Sequence, residues 1–85
     1  MKEVDTEDSL TYWLAKAKKG EKVMYFDGFL MYEKQKFVMA GIPAEGFSQK
    51  IKTAMLAWRA YLEGLVVLVQ RKREEGDYEY IAIKR

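Results

Sequence analysis

The chain predicts a single α+β domain, ordered as an N-terminal helix, a strand or hairpin, a long helix and a C-terminal β-hairpin. Three observations carry this. An apolar stripe of helical period lies near the N-terminus, a longer amphipathic stretch runs from Phe47 to Glu63 and breaks at Gly64, and two β-rich runs, Leu65 to Arg73 and Tyr78 to Lys84, flank Glu75-Gly76. A chain of 85 residues buries only about 60 to 65% of the surface its unfolded form exposes, so it holds one core. Two Trp, six Tyr and four Phe supply the apolar material for that core. No repeat, low-complexity tract or linker divides residues 1 to 85.

The first helix starts at Asp5 or Thr6, either of which can cap it, with Glu7 and Asp8 in the first turn. Lys16, Lys18 and Lys19 fall in its last turn and Gly20 stops it. Leu10, Trp13, Leu14 and Ala17 recur at i, i+3, i+4 and i+7, which makes one apolar face with Trp13 as a core anchor.

Residues 22 to 40 admit two arrangements. Val23 to Phe26 and Phe29 to Tyr32 flank Asp27-Gly28, a pair suited to a two-residue type I′ hairpin. Alternatively one strand ends at Asp27 and a helix begins at Gly28, running through Phe29, Leu30, Glu33, Lys34 and Phe37. Gly41 to Gly46, with the only proline at Pro43, is a turn-rich connection.

In the long helix, from about Ser48 to Glu63, a projection at 100° per residue gathers Phe47, Ile51, Ala54, Met55, Trp58 and Leu62 into the expected core stripe. Gln49, Lys52, Thr53, Leu56, Arg59 and Ala60 form the opposite face, where Leu56 is an apolar residue among polar ones. With Glu75-Gly76 as the turn, Arg73 pairs with Tyr78, Lys72 with Glu79, Arg71 with Tyr80 and Leu68 with Ile83. Alternation then assigns Val66, Leu68, Ile81 and Ile83 to the core, and Arg71, Arg73, Tyr78, Tyr80 and Lys84 to solvent.

Ala60 to Val66, leading through Leu68 to Arg71 and returning through Tyr78 to Ile83, resembles the recognition-helix end and wing of winged helix-turn-helix domains. It is also similar to short phage or prophage proteins of unknown function. The resemblance spans about residues 47 to 85 and implies a winged-helix-like domain of residues 1 to 85, without assigning any residue a role.

Several function classes are disfavoured. With no His, Cys or Asn in the chain, the commonest general base, the thiol nucleophile and most triads are missing. Gly41 to Gly46 lacks the Gly-Lys-Ser/Thr ending of a phosphate loop, and the carboxylates have no Ca²⁺-loop spacing. Neither catalysis, a cofactor nor a metal is expected. The absence of Cys and of any long apolar run fits a cytoplasmic protein with no membrane segment.

Charge suggests where a partner binds. Residues 47 to 63 hold three Lys/Arg against one Asp/Glu, and residues 64 to 85 five against four, so the positive excess lies in the last helix and hairpin. One reading is a duplex-DNA binder, dimeric because a single module makes few contacts. It would present Gln49, Lys52, Thr53 and Arg59 to the major groove and Arg71, Lys72, Arg73 and Lys84 to phosphates. The other is a protein-interaction module using Leu56 or the Tyr78/Tyr80 face, where aromatic residues make good anchors. Glu74, Glu75 and Asp77 at the hairpin tip would repel phosphates.

Overall fold

The computed structural model describes residues 1–85 as three α-helices and a four-stranded mixed sheet. In chain order these are β1 (Lys2–Glu3), α1 (Glu7–Lys16), β2 (Lys22–Gly28), α2 (Leu30–Met39), a 3-10 turn (Ala44–Gly46), α3 (Gln49–Leu62), β3 (Val66–Glu74) and β4 (Asp77–Lys84). The sheet order is β1-β2-β4-β3. The short β1 is parallel to β2 and the other pairs are antiparallel, so the last strand lies between β2 and β3.

Local chemistry sets the helix ends. Thr6 caps α1 in a reciprocal box, its Oγ1 accepting from the Ser9 N–H at 3.1 Å while Ser9 Oγ accepts from the Thr6 N–H at 3.1 Å. The helix ends earlier than its charge pattern predicts, with Ala17 as C-cap, so Lys18 and Lys19 lie beyond its last turn. After α3, Gly64 at φ +80° takes the left-handed position that a side chain disfavours. There the Leu65 and Gly64 N–H groups donate to the Ala60 and Tyr61 carbonyls, and the chain turns directly into β3.

The open question in residues 22 to 40 resolves as strand and helix. Asp27-Gly28 is no hairpin turn, because Gly28 still pairs with Tyr78 as the last residue of β2. The Leu30 N–H at the start of α2 donates to the Tyr80 hydroxyl at 3.2 Å, and Phe29 meets Tyr78 edge to face at 5.8 Å. These bonds orient α2, yet none of its residues is fully buried. Only Leu30 and Phe37 lean on the core.

The core lies between α1, α3 and one sheet face: Leu10 and Trp13 meet Ile51, Ala54, Ala57 and Ala60 over Val23, Phe26, Val66 and Ala82. The buried face of α3 is therefore rotated by roughly a third of a turn from the expected stripe. Thr53 and Ala60, assigned to the polar face, are buried, while Trp58 and Leu62 are 55% and 65% exposed. Apolarity alone cannot separate the two faces, since Ala and Thr approach a sheet more closely than Trp and Leu.

The hairpin register is also corrected. The expected tip pairing holds at Glu74 and Asp77, but a bulge between Lys72 and Glu74 shifts the ladder by one residue, so Lys72 pairs with Tyr78, Gln70 with Tyr80 and Leu68 with Ala82. A one-residue shift exchanges the faces. Val66 and Leu68 now share the core side with Ala82 and Tyr80. Ile81 and Ile83 join Val67, Val69 and Arg71 on the opposite side, where Ile81 pairs with Val69 and Met24 and is 5% exposed.

This orientation of α3 makes a testable distinction. Ile51→Ala is expected to cost about 2 to 5 kcal/mol by urea denaturation, and Trp58→Ala less than about 1 kcal/mol. A cost of about 3 to 5 kcal/mol for Trp58→Ala would mean that the helix packs through the stripe its periodicity suggests, to which Ile51 belongs as well.

Candidate interaction surface

Of the residues expected to read DNA from α3, the structure brings Lys52 and Arg59 together but not Thr53. Thr53 is fully buried, and its hydroxyl donates to the Gln49 carbonyl at 2.7 Å, so no groove can reach it. Lys52 and Arg59 line a shallow depression with Met55, Leu56 and the carboxylates Glu7 and Glu45, while Gln49 lies beside Glu7 and Asp8. The acidic first turn of α1 thus flanks the helix face that would approach phosphates. Leu56 is half-buried against the core rather than presented on a polar face.

Three of the hairpin cations are neutralised in place. Arg71 is ion-paired with Glu79, Lys72 with Glu75 at 3.0 Å, and Arg73 with Asp77 at 2.8 Å and Asp27 at 3.3 Å. Lys84 extends its Nζ to the Leu14 carbonyl at 2.9 Å, tying the sheet to the end of α1. The bulge places Tyr78 and Tyr80 on the helix side, where they hold Phe29 and the α2 N-terminus. They are supports for α2, not an exposed recognition face.

The most exposed apolar surface belongs to residues outside those expectations. Leu30 and Lys34 of α2 face Ala54, Met55, Trp58, Arg59 and Leu62 of α3 across a groove of about 430 Å³. Away from the groove, Met31, Tyr32, Val38 and Met39 of α2 are between 57% and 79% exposed, Met31 and Tyr32 beside Phe29 and Gly76. Trp58 stacks obliquely on Tyr61 with ring centroids 5.2 Å apart. The sequence signal for this surface was available in α2, whose apolar residues lie on more than one helix face and cannot all reach one small core.

At the end of β2, Asp27 receives Lys50 at 2.9 Å as well as Arg73, and Lys50 sits 4.6 Å from the centre of the Phe26 ring. The hydrogen bond from Lys50, aided by its charge and by Arg73, holds the Asp27 carboxyl below the ordinary carboxylate range. Burial, with the neighbouring Tyr80, pushes the Tyr25 phenol up to about 12.

No family model, curated protein or solved structure matches the chain. No group of three or more carboxylates converges to hold a metal ion, and no helix is long and apolar enough to cross a membrane.

Because Asp27 has a lower pKa folded than unfolded, its contribution to stability is present above the unfolded value and is lost as pH falls through the folded one. Urea midpoints should therefore drop below about pH 4, and Asp27→Asn should lower the neutral-pH midpoint and flatten that acid limb. An unchanged acid limb would exclude Asp27 as one of its causes.

Proposed function

We propose that this chain is a small non-enzymatic interaction module on a winged-helix-like frame and that it binds a protein through its α2–α3 face. The frame is supported by the order helix, strand, helix, helix, strand, strand, and by the last strand lying between the other two long ones. The observation that carries the function is that Trp58 and Leu62 of α3, which line the groove with Leu30 and Met55, are more than half exposed, and that α2 beside them has no fully buried residue. Exposed apolar clusters of this kind mark protein-binding surfaces, and Trp and Tyr are favoured anchors within them.

Duplex DNA is the second reading. It is favoured by the same strand order and by Lys52 and Arg59, which make no ion pair in the molecule. Against it stand the paired cations of the hairpin and the carboxylates of Glu7, Asp8 and Glu45 beside α3. Phosphate binding would first have to break several of those pairs.

Two titrations separate the readings. An apolar fluorescent dye should bind the folded protein and lose most of its signal in Trp58→Ser/Leu62→Ser at an unchanged thermal midpoint. Labelled duplex DNA should show no affinity at about 50 mM salt. Micromolar duplex binding that weakens steeply by about 200 mM salt and disappears in Lys52→Ala/Arg59→Ala would instead establish the DNA reading.

A further inference from the structure

The groove between α2 and α3 has a chemical asymmetry that specifies more than an apolar partner. Its lining is mostly apolar, from Leu30, Ala54, Met55, Trp58 and Leu62. Each helix adds one cation to that lining, Lys34 on α2 and Arg59 on α3. Neither belongs to any ion pair of the molecule, although Arg59 also borders the depression that holds Glu7, Glu45 and Lys52. The acid nearest in sequence, Glu33, directs its carboxylate toward Gly28, where an added Cβ would lie 3.8 Å from Oε1.

We infer that the groove takes an acidic amphipathic helix from a partner protein, its apolar stripe on the apolar lining and a carboxylate on each flank against Lys34 and Arg59. The inference rests on the α2–α3 face being an interaction surface. The dimensions suit this occupant: from Ala54 to Leu62, α3 extends about 12 Å, room for two turns of a helix anchored at i, i+3 or i+4, and i+7.

Charge selects against the alternatives. A second copy docked face to face would bring Lys34 and Arg59 against cations of its own kind. Nor has that copy a spare acidic helix, because the apolar face of α1, with Leu10 and Trp13, is already inside the core. A phosphate backbone could meet the two cations but would leave Trp58 and Leu62 uncovered.

The test is calorimetric titration with a synthetic helical peptide of about 16 residues, Leu at i, i+3 and i+7 and Glu on both flanks, beside the same peptide with Lys for Glu. The Glu peptide should bind in the micromolar range, about 8 kcal/mol, and the Lys peptide at least about tenfold more weakly. Lys34→Glu/Arg59→Glu, which touches only the groove lining and should leave the circular dichroism unchanged, should reverse that preference. Equal binding of both peptides, or of neither, would overturn the inference. If no peptide binds and sedimentation shows a dimer abolished by Trp58→Ser, the face is an interface but its occupant is a second copy. If no peptide binds and duplex DNA does, with loss in Lys34→Glu/Arg59→Glu, the interaction reading falls as well.

Discussion

The close seating of α3 on the sheet governs the rest of this molecule. Thr53, Ala54, Ala57 and Ala60 are buried within a few per cent of completely, and they are small. Small side chains allow the helix backbone to approach Val23, Val66 and Ala82, and dispersion contacts reward that approach. A helix has only one face to give to a sheet. Once the small residues occupy it, Met55, Trp58 and Leu62 are turned toward α2 and solvent, so the geometry that completes the core also creates the exposed groove.

The bulge in the hairpin has a comparable reach. By shifting the ladder one residue, it moves Tyr78 and Tyr80 to the helix side, where one supports Phe29 and the other accepts from the Leu30 N–H. It also gathers Arg71 and Glu79 on the opposite side, while Arg73 reaches Asp27 and Asp77. The basic run therefore serves the stability and register of the hairpin. Exposed pairs of this type are worth little singly, but together they leave the hairpin with few free cations for a phosphate backbone.

Much of this was legible in the sequence where local chemistry decides. A cap at Asp5 or Thr6, the buried Trp13, the break at Gly64 and the Glu75-Gly76 turn all follow from residue type and spacing, and the structure selects Thr6 as the cap. What was not legible depends on tertiary choices. Asp27-Gly28 suits a hairpin turn, but pairing of β2 with β4 and the Tyr80 hydroxyl at the first turn of α2 favour strand and helix. The two-residue β1 has too little sequence to signal itself. The buried face of α3 is hidden because apolar periodicity weighs Trp58 and Leu62 above Ala57 and Ala60, and the hairpin faces because no residue type announces a bulge. The same two features hide the groove: Lys52 and Arg59 stand out on the polar face of α3, whereas Lys34, Trp58 and Leu62 carry no such signal.

An unburied α2 beside a deeply seated α3 is the central physical claim, and amide hydrogen exchange reads it residue by residue. Segments with few buried contacts open at low free energy, whereas core elements open only near global unfolding. In the free protein, amides of Leu30–Met39 should exchange at least about a hundredfold faster than those of Ile51–Ala60 and β4, a gap of roughly 3 kcal/mol in opening free energy. Protection of α2 equal to that of α3 in the free chain would contradict the claim, because a helix with so few buried contacts opens more easily than one seated on the sheet.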